Sequence, residues 1–154
     1  MRSPIEALRA SSDGLHNNYM LTIEIVKEIA ARAVQEASAI PCAMSIVLVD
    51  SGANLIYAER MDDAMIATFE VAHRKARSAV LFRRPTKVFE DMLAGGRMAI
   101  LKLPGAIPLE GGVPLMADGK VVGGIGASGG TAQQDGIVAN AAAAALAELL
   151  PKTA

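Results

Sequence analysis

Three places in the chain carry residue types that could do chemistry. The first is Lys75. On a helical wheel it falls inside an apolar arc, between Thr68, Ala72, Ala79 and Phe82, whereas Arg74 and Arg77 lie on the polar side. A lysine in an apolar stripe has two outcomes. It snorkels out along its methylenes, or it enters a pocket and there pairs with a carboxylate or shifts its pKa. In a pocket it can neutralise a bound acid. It can also act as a general base, with Asp135 or Asp62 as proton partner.

The second place is Val121–Asp135, VVGGIGASGGTAQQD, with five glycines in the eight residues from Gly123 to Gly130. Glycine lets the backbone approach a ligand, and the N–H groups of a helix's first turn can hold an anion. The same glycines could instead only permit close strand-to-helix packing. The third place is Arg60-Met61-Asp62-Asp63, at a junction between a strand and a helix. Rigid strand ends aim functional groups. The plainer reading makes Asp62 or Asp63 the helix N-cap and puts Arg60 in a surface ion pair.

Several chemistries find no support. The glycine spacing is neither a phosphate loop nor a dinucleotide fingerprint, because no G-K-[ST] follows and no first βαβ strand precedes it. Ser128 stands in no G-x-S-x-G elbow. Neither His16 nor His73 has metal-ligand spacing with acidic partners, so no metal is expected. His73 reads as a half-buried packing residue and His16 as solvated. Cys42 is the only cysteine, which rules out an intrachain disulfide. The eight methionines suit a core in which aromatics make up only 3% of residues. The net charge of −1 is dispersed, so nucleic acid and membrane are not expected as partners. Neither an export signal nor a membrane span is evident, which makes the cytoplasm the expected location.

The elements that must position these residues can be read from periodicity. At 154 residues the chain suits one domain: a polar arm over 1–20, then a body over 21–154. Residues 21–39 predict a helix stopped by Pro41. Ser45–Asp50 is a continuous apolar run, the pattern of a strand covered on both faces. It pairs with Leu55–Glu59 across the turn Ser51-Gly52-Ala53-Asn54. Residues 64–83 predict a second helix, stopped by Pro85. Thr86 then caps a short helix over Lys87–Leu93. Strands at Val113–Met116 and Lys120–Ala127 flank Asp118-Gly119, a hairpin signal. Thr131 and Gln134 form a capping box for the last helix. Strands arriving as hairpins imply an α+β fold with a mainly antiparallel sheet flanked by helices.

Three segments in this order, SIVLVDSGANLIYAERMDDA, AHRKARSAVLFRRPT and GGVPLMADGKVVGGIGASGGTAQQD, resemble the GlcG/HbpS-like family, also labelled haem-degrading or haem-binding. The same domain type forms the C-terminal part of PduO. The resemblance spans roughly residues 22–150. It implies the same α+β fold and a homo-oligomer, often an octamer. Members occur beside glycolate, diol and aromatic-acid catabolism, and some bind haem or corrinoid. The matching positions here are Arg60, Asp62, Lys75, Thr86, Gly111, Gly112, Pro114, Gly123, Gly126, Ser128, Gly129, Gly130 and Asp135. PduO-type members use a histidine of the N-terminal helix for haem. The helix from Leu21 has none, and His16 precedes it. No cofactor is therefore expected, with haem as the alternative that the resemblance supplies.

The expected function is an oligomeric protein that binds a small organic carboxylate. Lys75 and Arg60 would neutralise the carboxylate, and the Gly126–Gly130 backbone would hydrogen-bond it. Asp62, Gly112, Pro114 and Ser128 complete the expected pocket. The alternative is a cofactor-independent isomerase, tautomerase or hydrolase of a small organic acid, with Lys75 and Asp135 as catalytic groups.

Overall fold

The computed structural model describes residues 21–150. It also gives the backbone of two short strands before them, β1 (Arg9–Ala10) and β2 (Tyr19–Met20), which pair antiparallel. The rest of the expected arm, His16 included, and residues 151–154 lie outside the described residues.

Helix α1 (Ile23–Ser38) starts at Thr22, whose hydroxyl accepts the Ile25 N–H. Strands β3 (Ser45–Asp50) and β4 (Leu55–Arg60) follow as a hairpin. Its turn is closed by Asp50, whose Oδ1 accepts the N–H groups of Gly52 and Asn54 at 2.8 and 2.9 Å. Next come α2 (Ala67–Phe82), α3 (Lys87–Ala94) and a 3-10 turn (Met98–Lys102). Strands β5 (Gly112–Ala117) and β6 (Lys120–Ser128) turn at Asp118-Gly119, both at positive φ. Left-handed values at both central residues match the twist of a two-residue hairpin. Helix α4 (Ala132–Leu149) begins with the expected Thr131–Gln134 capping box.

All four main strands pair antiparallel in the order β4-β3-β6-β5. The inner strand β3 is buried on both faces, as its continuous apolar run implies. Helices α1 and α4 cover one face over Ile46, Leu48, Leu115, Ile125, Val138 and Leu146. Helix α2 covers the other face over Val47, Val49, Ala72, Ala76 and Val80. Small residues keep this second layer thin. A Cβ at Gly124 would stand 2.7 Å from the Ala76 carbonyl oxygen, and one at Gly126 would run into the Ala72 carbonyl.

Two expectations need correction at the start of α2. The helix begins at Ala67, and its N-cap is Ile66, without a side-chain bond. Neither Asp62 nor Asp63 caps it. Asp63 takes φ 65°, and Ala64 N–H bonds the Met61 carbonyl in a separate turn. Met65 and Ile66 thus precede the helix and stand 68% and 84% exposed. Thr86 does precede α3, but its hydroxyl is not spent on that helix. It accepts the Gly112 N–H at 2.9 Å and ties α3 to β5.

Candidate functional site: a buried ion pair behind the glycine turn

Lys75 projects from the middle of α2 towards the β5 edge of the sheet. It does not snorkel. Its ammonium donates to Asp135 Oδ2 at 2.8 Å and to the Ala127 carbonyl at 3.0 Å. The two side chains are 3% and 4% exposed. Asp135 comes from the first turn of α4, and its Oδ1 accepts the Gly130 N–H at 2.9 Å. The pair therefore joins α2, α4 and the end of β6, across the two faces of the sheet.

Glycines make room for this crossing. A Cβ at Gly111 would stand 2.9 Å from Lys75 Nζ and 2.8 Å from Asp135 Cβ. A Cβ at Gly112 would run into the Lys75 carbonyl. Gly112 lies opposite Gly126 in the ladder, so both strands are bare where α2 presses closest. At Gly124 and Gly126 the glycine block thus serves helix packing. Gly129 takes φ 148° and turns the chain out of the sheet.

A cation on α2 and a glycine-turn N–H do converge on a carboxylate, as the sequence implies. That carboxylate is the protein's own Asp135. Burial pushes its carboxyl above the ordinary value, while the Lys75 ammonium and the N–H groups of Gly130 and Gly129 pull it back down. As it stands the pair faces no solvent, so a catalytic role for Lys75 or Asp135 would require it to open.

The remaining expected residues lie nearer the surface. Arg60, Ser45 and Ser128 face one another in register across β4, β3 and β6. Residues directly opposite share a face, so all three lie on the α2 side at one end of the sheet. Thr68 Oγ1 donates to the Met65 carbonyl at 2.6 Å, which leaves Ser45 to donate to Thr68 at 2.8 Å. Ser128 is buried and its hydroxyl makes no side-chain bond among the described residues. Arg60 and Asp62 are exposed, and Arg60 makes no ion pair among the described residues. Pro114 is half-buried opposite Gly124, farther down the sheet. Arg60 and Ser128 thus share a row that Pro114 does not join.

His73 is half-buried beside Phe69, with ring centroids 6.0 Å apart, as its wheel position implies. Its Nε2 is buried without a partner. No three His, Cys, Asp or Glu side chains among the described residues converge as a metal site requires. Two contacts lie beyond what helical and strand periodicity shows: the Thr86–Gly112 latch and the Ala127 carbonyl beneath Lys75. The adjacent glycines 111 and 112 were the available signal for both.

Known proteins resemble this chain in sequence and fold. The family model for "Haem degrading protein HbpS-like" matches residues 21–144. Protein GlcG of Escherichia coli K12 is 40% identical over 109 residues, covering 71% of this chain and 81% of its own. Among solved structures, Klebsiella pneumoniae protein ORFY superposes with TM-score 0.79 at 25% identity, over 89% of this chain and 97% of that one. The haem complex of PduOC superposes with TM-score 0.74 at 28% identity, over 82% and 94%.

Proposed function

Because the chain belongs to the HbpS-like family, we propose that it is an oligomeric binder of a small organic carboxylate, held at the Arg60 end of the sheet. One observation carries the reading. Arg60 and Ser128 flank Ser45 in register and so share one face of the sheet, with their backbones two strand spacings or about 10 Å apart. The turn that follows Ser128 is held by the buried Lys75–Asp135 pair.

In this reading Arg60 meets the carboxylate, and Ser128 and Asp62 contact the rest of the ligand. Arginine suits the task because its planar fork matches a carboxylate in two bonds. Lys75 and Asp135 are positioning residues, and Gly112, Gly126, Gly129 and Gly130 give the frame its shape. Pro114 stiffens the neighbouring edge strand. Exposed Met65, Ile66 and Phe69 near the start of α2 support association between copies, with an octamer as the assembly to test.

Haem is a second ligand, favoured by the PduOC haem complex among the structural neighbours and by the unpartnered His73 Nε2. The described residues fit haem poorly, because that nitrogen is buried and a cavity of about 620 Å³ between the end of α2 and the β5–β6 hairpin has no histidine in its wall. Calorimetry with 2-hydroxy, 2-keto and aromatic carboxylates, and with hemin, separates the two. Saturable carboxylate binding supports the first reading. A Soret shift at unit stoichiometry that His73→Ala abolishes supports the second.

A further inference from the structure

The other end of the sheet holds a cavity of about 620 Å³ that none of these residues enters. That lies within the range of roughly 300–1,000 Å³ used for small organic ligands. Three segments form its walls. The end of α2 gives Val80, Leu81 and Arg83, the β3–β4 turn gives Ser51 and Gly52, and the β5–β6 hairpin gives Met116 and Gly119–Val122.

The wall is about as polar as it is apolar, and its two charges are both positive: Arg83 and Lys120. Neither makes an ion pair among the described residues. The Asp50 carboxylate, at the same turn, pairs with neither cation; its hydrogen bonds go to Gly52 and Asn54.

Arg83 has a second unusual property. It is the C-cap of α2 and adopts the left-handed conformation, φ 53° and ψ 40°. Glycine is the ordinary residue there, because a Cβ costs energy in that region. A long cationic side chain at this strained position, on a cavity wall, is an outlier of the kind that marks a functional constraint. The helix C-terminus itself repels anions. An acid bound here must therefore be held by the two side-chain cations.

We propose that this cavity is a second ligand site, separate from the Arg60 row, which takes an amphipathic organic anion: an apolar body against Val80, Leu81, Val121 and Val122, with its acidic group between Arg83 and Lys120. The test uses the full chain and anilinonaphthalene sulfonate, an aromatic body bearing one sulfonate, followed by fluorescence at low and high salt. Octanoate serves as a carboxylate competitor. Saturable binding is expected, displaced by octanoate and weakened by salt.

The double variant Arg83→Gly with Lys120→Gln is expected to weaken binding by at least about tenfold, the usual worth of a charge-assisted contact. Arg83→Gly relieves the left-handed strain, so the variant should melt no lower than the parent, and loss of binding cannot be put down to unfolding. Lys120→Glu alone should also weaken binding, whereas Lys27→Gln on distant α1 should not. Absence of saturable binding overturns the proposal. So does a double variant that binds the probe as well as the parent does.

Discussion

Asp135→Asn gives the sharpest test of the buried pair. Asparagine keeps the shape and can still accept the Gly130 N–H, but it carries no charge. The Lys75 ammonium would then keep only the Ala127 carbonyl, at a position 3% exposed. Breaking a buried ion pair from one side costs about 3–5 kcal/mol. In a domain of this length each kcal/mol moves Tm by about 2–4 °C, so a fall of roughly 6–20 °C is expected. Replacing both partners, Lys75→Met with Asp135→Leu, removes the stranded charge. The remaining losses are the Gly130 acceptor and the donor to the Ala127 carbonyl, and Gly130 is only half-buried. That variant should stay within about 2 kcal/mol of the parent.

The pH dependence gives an independent check. Lys75→Met leaves Asp135 buried without its cation, which removes one of the influences that lower its pKa. Its carboxyl then binds a proton in the folded state that the unfolded chain has already released. Stability of Lys75→Met should therefore be fullest below the ordinary carboxyl value of 3.8 and fall as pH rises through the elevated folded value. Urea unfolding at fixed protein concentration, with the slope compared between variants, measures all three proteins. An Asp135→Asn loss below about 1 kcal/mol, or a double variant as unstable as Asp135→Asn, would refute the reasoning.

Three other outcomes follow from the same geometry. Gly126→Ala drives a methyl into the Ala72 carbonyl and should cost about 1–3 kcal/mol or more by urea unfolding. Arg83→Gly should raise stability by about 1 kcal/mol through relief of the left-handed C-cap, read as a Tm increase. Burial, and then the nearby Asp135, push the Cys42 thiol above its usual 9.0, so its alkylation by iodoacetamide should rise with a midpoint above that pH.

Much of the fold was legible because the pattern was local. The apolar run of β3, the Asp118-Gly119 hairpin and the Thr131–Gln134 box each state their geometry within a few residues. The start of α2 was not legible in that way. Asp62 and Asp63 are good capping residues, yet a turn with Asp63 at positive φ intervenes and leaves the helix to begin at Ala67. Lys75 was legible as an anomaly, because its wheel angle is wrong for a solvated cation. Its partner was legible only as one of two aspartates, Asp135 or Asp62, since 60 residues separate Lys75 from Asp135 and no periodicity links α2 to α4. The glycine turn looked like a place for an anion and is one, but periodicity cannot say that the anion comes from the next helix. The cavity between Arg83 and Lys120 left no trace in sequence, because three separate segments meet there.

The central claim, a carboxylate site on the Arg60–Ser128 row, is tested most directly by calorimetric titration of the best carboxylate of the panel into the parent, Arg60→Gln and Ser128→Ala. Saturable binding to the parent is expected, weakened about tenfold or more by Arg60→Gln and by a smaller factor by Ser128→Ala, with both variants folded. Equal affinity in the parent and in Arg60→Gln, or no binding by any carboxylate of the panel, would contradict it.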